Sequence, residues 1–536
     1  METLGSFLDS LAVQYADREA VAYAPHDHVV ARLTWKQLRA ASREAAKKLV
    51  AAGVGKGGRV GLLCSNRLEW LPIAFGALRI GALLVPFSTL WKREEIAYAL
   101  THADVERLIM LPGFLKHDYL ATLNDIVPEL RQARAHTPAR QLYSRSVPAL
   151  RQVVLLEGGA PGTERWADLP TAVDDAFLDA LEHSVVPTDW ATVFFTSGTT
   201  AQAKAVLHCH AALTTSGRRI SPCFGITPDD AWWGHMPLFW SGGFVLGALA
   251  TMAGGARIVL QETVDPIGAL KLLEAERCTI MAGWHQAGPL LDHPDFTRHR
   301  LHLKKGTNHT LATRLLGPDH MAIGVYGMSE TATCVTAARW NDPEPIRADT
   351  FGKPLDGMQV KIINPETGQL AAADESGEIH VKGATLMEGY YRVPRSQTFD
   401  AEGFFRTGDL GYLDPAGYLH FATRLKDVIK TAGVNVAAVE VEEALQRHPA
   451  VKAAHVVGVP HPTRGENVAA FVVLATGSAA SIEALGDFCK ASLASYKVPR
   501  HWFLISDDEV PRTGSGKVEK AALRRAAQMR LEGAAE

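Results

Sequence analysis

Short apolar runs alternate with stretches of helical apolar period through the first two thirds of this sequence, and that alternation restricts the fold more than any other feature. "RVGLLCS" (59–65) reads as a strand, "LEWLPIAFGALRIG" (68–81) as a helix and "ALLVPFS" (82–88) as a strand. "ARIVL" (256–260), "PIGALKLLEAE" (266–276) and "CTIMAG" (278–283) repeat the order. Uniformly apolar strands joined through helices call for a parallel sheet covered on both faces. The sequence has no internal period of the kind that builds a solenoid. At 536 residues it exceeds the size at which a single core keeps growing, so at least two domains are expected.

The texture changes beyond about residue 350. "MQVKIINPETGQL", "GEIHVKG" and "GYLHFATRLKDVIKTAG" read as short strands joined by Gly- and Asp-rich turns, as in a small antiparallel barrel. A compact tail follows: "AAVEVEEALQRH" and "SIEALGDFCKASLA" as helices, "VKAAHVVGV" and "NVAAFVVLA" as strands. The expected class is α/β. Residues 1–425 form a large N-terminal domain of parallel α/β layers plus a small β-barrel, and residues 426–536 a small, mobile α+β domain joined through "TRLKD".

Composition narrows the function. Lys and Arg number 55 against 58 Asp and Glu, a net charge of −3, which argues against nucleic acid or an anionic membrane as the main partner. The start, "METLGSFLDSLAVQYADREA", lacks the basic region and apolar core of a signal peptide. The apolar run "FVLGALATMAGGARIVL" is broken by glycines and Arg257, so no membrane span is expected. Six scattered cysteines without a CxxC suggest reduced thiols, a cytoplasmic location and no zinc site. "HCH" (208–210) reads as structural, because adjacent residues rarely chelate one ion.

The stretch "FFTSGTTAQAKAV" sets Thr196, Ser197, Gly198, Thr199 and Thr200 ahead of Lys204, directly after an apolar strand. Hydroxyls, exposed backbone N–H groups and one mobile cation are what phosphate oxygens need, although a solvated turn has the same composition. The Walker A spacing is absent. "PRTGSGKVEK" (511–520) also imitates that loop, but Pro511 and Val518 occupy its glycine and Ser/Thr places, leaving Lys517 as the active candidate.

In order along the chain, these segments resemble an adenylate-forming acyl-CoA synthetase, of the AMP-binding superfamily shared with luciferases and non-ribosomal adenylation domains. "FFTSGTTAQAKAV" is similar to that family's phosphate loop, "VYGMSETA" (325–332) to its YGxTE segment and "GATLMEGYY" (383–391) to its GxxxMxGY segment. "GFFRTGDLGYLDPAGYLHFATRLKDVIKTAGVNVAAVEVE" is similar to its TGDLG…R…KD…K…G…E signature, and "PRTGSGK" to its final PxTxSGK. The resemblance runs from about Gly58 to Lys520.

The resemblance implies an ATP-dependent ligase that joins a carboxylic acid to coenzyme A through an acyl-adenylate. Asp409 would hold both ribose hydroxyls, which an ionised carboxylate can do at once, and Arg424 would reach ribose or phosphate. Tyr326 and Gly327 would border the adenine, Ser329 the α-phosphate, and Glu330 would hold Mg²⁺ through hard oxygen ligands. Thr196 to Lys204 would grip the β- and γ-phosphates, with Lys517 on the carboxylate and α-phosphate. Lys426 would be the hinge, with Lys430, Gly433 and Asn435 facing the CoA channel. An alternative acceptor is the thiol of a carrier protein, and a homodimer is compatible with the family.

The sequence also departs from the family. Ala201, Ala203 and Ala205 replace Gly, Pro and Gly in the phosphate loop, so a changed loop path is expected. "KGTNHT" (305–310) replaces a GGAPL-like turn. In "HMPLFWSGGFVLG", Trp240 stands in place of a common histidine and is followed by Ser241, Gly242 and Gly243; with Trp284 of "AGWHQAG" these suggest room for a bulky apolar acid, fatty, aryl or steroid/terpenoid. No acid follows the proline that could pair a substrate ammonium, so an amino acid substrate is not expected.

Overall fold

The computed structural model describes residues 1–132, 142–196, 203–283, 286–431, 434–513 and 516–532. The chain forms two compact units. The first comprises residues 1–360 and 381–405, the second 361–380 and 406–536. This division lies upstream of the 425/426 boundary expected from sequence.

Two large sheets organise the first unit. The eight-stranded sheet has the order Gly389–Tyr390, Lys204–Cys209, Trp190–Thr196, Leu83–Phe87, Arg59–Leu63, Arg107–Met110, Gln152–Leu155 and Glu164–Arg165. From Trp190–Thr196 onward its neighbours are parallel; the two strands at the Gly389 edge pair antiparallel. Leu83–Phe87 is buried at every position, as a parallel strand with helices on both faces must be. The six-stranded sheet has the order Lys305–Gly306, Ile280–Met281, Ala231–Gly234, Arg257–Gln261, Glu19–Ala24 and Ala31–Thr34, parallel except for the last pair. The expected strand–helix–strand units are present as Arg59–Leu63, Trp70–Arg79 and Leu83–Phe87, and as Arg257–Gln261, Pro266–Ala275 and Ile280–Met281. Helix Pro266–Ala275 starts where its chemistry dictates, with the Asp265 carboxylate accepting from Gly268 N and Pro266 in the first turn.

Of the segments expected in a barrel, Met358–Ile363, Gly377–Gly383 and Leu419–Arg424 share one four-stranded sheet, and Val428–Thr431 belongs to the five-stranded sheet of the second unit. Val325–Tyr326, Thr336–Ala337 and Lys353–Pro354 make a three-stranded antiparallel sheet in the first unit. Met358–Ile363, Gly377–Gly383, Phe405–Leu413 and Leu419–Arg424 make a four-stranded one, along which the chain crosses between the units. The second unit continues as a five-stranded sheet built on the long antiparallel pair Val451–His461 and Gly465–Leu474. Helices Ala438–Gln446, Ile482–Ser492 and Lys520–Glu532 accompany it. Among the described residues, no helix is long and apolar enough to cross a membrane.

One buried cation ties the helical layer of the first unit together. The Arg79 side chain is fully buried at the end of helix Trp70–Arg79. It donates to Asp9 of helix Leu4–Gln14 at 3.0 Å and lies 2.9 Å from the Glu182 carboxylate of helix Asp175–Ser184. Removing Arg79 empties a fully buried position and takes one charged partner from each carboxylate; Asp9 retains Arg39 and Glu182 retains Arg43, so the loss is that of a charge-assisted hydrogen bond, about 1.5–3 kcal/mol. Arg79→Ala is therefore expected to lower the thermal midpoint clearly, whereas Asp175→Ala, exposed at the start of the helix that carries Glu182, should leave it nearly unchanged.

Candidate active site

The Thr/Ser/Gly loop is the connection of a β-hairpin at the edge of the eight-stranded sheet. Thr196 and Lys204 face each other as the last paired residues. Ser197, Gly198, Thr199, Thr200 and Ala201 lie outside the described residues. The hairpin base is held by rings and backbone. Phe195 meets Trp91, Tyr98 and His102 edge-on, and Tyr98 Oη donates to the Ala203 carbonyl at 3.2 Å. Ala205 is a buried strand residue opposite Phe195, and its carbonyl accepts from Tyr391 N at 2.8 Å. Alanine at this position fits ordinary extended backbone.

The "YGMSET" segment forms a tight return between strands Val325–Tyr326 and Thr336–Ala337. Ala332 and Thr333 take positive φ of 47° and 84° to close it. Gly327 is required there, since a Cβ would stand 1.8 Å from the Thr333 carbonyl oxygen. Tyr326 is buried, and Ser329–Thr331 forms a single 3₁₀ turn.

That turn is gripped by several elements. His208 Nε2 donates to the Ser329 carbonyl at 2.6 Å, and the hydroxyls of Ser329 and Ser241 lie 2.8 Å apart. Met387 N donates to the Glu330 carbonyl at 2.8 Å. Tyr390 Oη donates to Glu330 Oε1 at 2.8 Å, and the Lys204 ammonium stands 4.7 Å from the centre of the Tyr390 ring. Burial pushes the His208 imidazole down to about 4, so it is neutral and its Nε2 carries the proton that the carbonyl accepts. Burial, and then the Glu330 charge, raises the Tyr390 phenol, which therefore stays protonated as a donor. His210 of "HCH" has a different partner, accepting from Leu4 N at 3.2 Å.

Lys204, Ser329 and Glu330 are thus gathered in one place. Of the two residues that join them, Tyr390 was not singled out in the sequence, and His208 was read there only as part of a structural "HCH". Tyr390 lies within the quoted "GATLMEGYY", and that adjacency was the available signal. Ser241 links this place to the "PLFWSGG" segment. Trp240 packs edge-on against Phe239, 5.7 Å between ring centres. Residues Gly242–Leu249 form a π-helical run, an unusual conformation that often marks functional positions. Gly242 and Gly243 differ in what a side chain would meet. At Gly242 a Cβ meets the flexible Met236 Cε at 2.8 Å; at Gly243 it would stand 2.0 Å from the Pro237 carbonyl oxygen. The missing side chain at Gly243 serves backbone packing. Trp284 lies outside the described residues.

The other candidates belong to the second unit. Asp409 and Arg424 are cross-strand partners, with Arg424 Nε 3.4 Å from Asp409 Oδ1. Asp409 is 4% exposed, while the Arg424 side chain is 52% exposed. Within strand Phe405–Leu413, the backbone leading to Asp409 is held by Thr407 Oγ1 donating to the Ile379 carbonyl at 2.7 Å and by Gly408 N donating to Glu378 Oε1 at 3.2 Å. Lys426 lies in the 3₁₀ turn Leu425–Asp427 between two strands. Lys430 and Asn435 are opposite residues of the next hairpin, whose Gly433 lies outside the described residues. Lys517 is an exposed residue of a turn closed by Thr513 N donating to its carbonyl at 2.7 Å.

Comparison with known proteins supplies the family. The family model described as "AMP-binding enzyme" matches residues 8–391, and "AMP-binding enzyme C-terminal domain" matches residues 440–517. A protein named putative acyl-CoA synthetase YngI, from Bacillus subtilis, is 33% identical over 97% of this chain and 96% of its own. A 3-[(3aS,4S,7aS)-7a-methyl-1,5-dioxo-octahydro-1H-inden-4-yl]propanoyl:CoA ligase of Rhodococcus jostii is 31% identical over 97% of this chain and 98% of its own. The crystal structure of ATP-bound MatB from Rhodopseudomonas palustris superposes with a TM-score of 0.81 at 25% identity, covering 98% of this chain and 99% of that one. With a family model spanning most of the sequence and near-complete coverage of both chains in each comparison, this chain belongs to the AMP-binding enzyme family.

Proposed function

We propose that the protein is an AMP-forming carboxylic acid–CoA ligase acting in the cytoplasm on a hydrophobic, bulky monocarboxylic acid. The gathering of Lys204, Ser329 and Glu330 at the mouth of one hairpin, beside the "PLFWSGG" segment, carries this reading. The names of the relatives support the reaction class, and the ring-bearing propanoate of the Rhodococcus ligase is the kind of acid that we assign.

The donor set around Glu330 fits Mg²⁺ in a particular way. Among the described residues, no group of three or more His, Cys, Asp or Glu could hold a metal. Magnesium commonly uses one or two carboxylates and takes its remaining ligands from phosphates and water, a demand that Glu330 with nearby hydroxyls can meet. When bound, the ion neutralises charge on the phosphoryl oxygens.

In the first step a substrate carboxylate oxygen attacks the α-phosphorus of ATP, forming the P–O bond of an acyl-adenylate and expelling pyrophosphate. Lys204 counters the β- and γ-phosphate charge, Lys517 that of the carboxylate and α-phosphate, and Ser329 orients the latter. Asp409 accepts from both ribose hydroxyls, with Arg424 beside it. In the second step the CoA thiol attacks the acyl carbon and AMP leaves. Lys430, Gly433 and Asn435 line the approach of CoA, after residues 426–536 have turned about Lys426.

Substitutions in each part of the site test this reading. Asp409→Ala loses a charged hydrogen-bond acceptor worth about 1.5–3 kcal/mol and should raise the KM for ATP by about one to two orders of magnitude; unchanged ATP dependence would refute the ribose assignment. Lys517→Ala should abolish acid-dependent pyrophosphate exchange while still converting supplied acyl-AMP and CoA to thioester. Lys426→Pro, which fixes φ, should do the reverse, and equal loss of both half-reactions in both variants would exclude the rotation. A carrier-protein acceptor would appear as acyl-AMP formation without thioester on free CoA. Finally, Gly242→Ala should fold and alter the acid profile by up to about tenfold, a methyl-scale effect. Gly243→Ala should instead lower the thermal midpoint, because the Pro237 backbone has to move.

A further inference from the structure

Strand Lys204–Cys209 alternates its side chains, so Lys204, Val206 and His208 share one face. Tyr390 is the cross-strand partner of Val206, which makes it a diagonal neighbour of Lys204 on that same face. The Ser329–Thr331 turn lies against these side chains. His208 donates to the Ser329 carbonyl at one end, and Tyr390 donates to the Glu330 carboxylate at the other. Among the described residues, no ion pair joins Lys204 to Glu330; Tyr390 touches both, through its ring and its hydroxyl.

We propose that Tyr390 is a positioning residue for the nucleotide–metal step, aiming the Glu330 carboxylate with its hydroxyl and seating the Lys204 ammonium on its ring. The inference rests on the reading of the site as an ATP-using one. A direct Lys204–Glu330 pair would have to be broken before the lysine met phosphate and the carboxylate met a cation. A tyrosine shared between them avoids that. Cation–π contact at an exposed site is weak, so the ring orients the ammonium yet releases it to a phosphate. A carboxylate has about four acceptor positions, and one phenolic donor fixes its plane while leaving the other oxygen for a hard cation. Both ends of the tyrosine therefore prepare groups that act together on the triphosphate.

The test separates hydroxyl from ring and does not depend on turnover. Full-length wild type, Tyr390→Phe and Tyr390→Leu are compared for Mn²⁺ uptake in the presence of ATP without acid, read as protein-bound Mn²⁺ by equilibrium dialysis against the same Mn²⁺ and ATP concentrations, so that chelation by ATP alone cancels. Metal-free ATP affinity by calorimetry and the ligand-free thermal midpoint are measured alongside. Tyr390→Phe should weaken ATP-dependent Mn²⁺ uptake about tenfold, as expected for one hydrogen bond to a charged group, with metal-free ATP affinity and thermal midpoint close to wild type. Tyr390→Leu should weaken metal-free ATP binding as well. Wild-type-like Mn²⁺ uptake by Tyr390→Phe would overturn the proposal while leaving the ligase reading intact. Parallel losses in Mn²⁺ uptake, metal-free ATP affinity and thermal midpoint would reduce Tyr390 to a structural residue. Wild type that takes up no Mn²⁺ with ATP would overturn the ligase reading and this proposal together.

Discussion

The antiparallel edge of the eight-stranded sheet is the constraint on which the candidate site depends. Strands buried on both faces leave no room for polar chemistry inside the sheet, so reactive side chains are confined to its ends and edges. Here the parallel strands stop at Trp190–Thr196, and the next strand returns directly through a hairpin. That hairpin carries Lys204 out at one end and His208 into the interior a few residues later. Pairing with Gly389–Tyr390 then brings a residue nearly two hundred positions away alongside both. Without this edge, the turn holding Glu330 would have neither its carbonyl donor nor its carboxylate donor.

The departures from the family pattern take on physical meaning in this setting. Ala205 lies in a regular strand with its Cβ buried, where glycine's conformational range is not needed. Ala203 keeps its backbone anchored through the Tyr98 hydroxyl, which offers another restraint at the place of a proline. His208, on the same strand as Ala205, is a buried polar group whose donor nitrogen the Ser329 carbonyl satisfies.

The candidate groups are divided between the two compact units, with Lys204, Ser329 and Glu330 in one and Asp409, Arg424 and Lys517 in the other. Each half is internally prepared. Asp409 is buried beside a half-exposed arginine on the neighbouring strand, and hydrogen bonds of Thr407 and Gly408 hold the strand that presents it.

Much of this was legible in the sequence because the underlying physics is local. Apolar strands and capped helices depend on residues a few positions apart, so Arg59–Leu63, Trp70–Arg79 and Pro266–Ala275 could be read directly. Hydroxyls followed by a lysine, or a carboxylate in "RTGD", declare their chemistry by composition and spacing, and five such segments in order pointed to the family. Tyr390 and His208 could not be read in this way, because a strand's neighbour across a sheet is set by how layers pack and not by adjacent residues. Gly243 shows the same limit from the other side. In the sequence its missing side chain resembled empty space, whereas the fold places the Pro237 carbonyl there. The sequence by itself determined which reactive groups the chain owns; the tertiary structure decided which of them meet, since contact across a sheet or a turn depends on long-range packing that no short segment encodes.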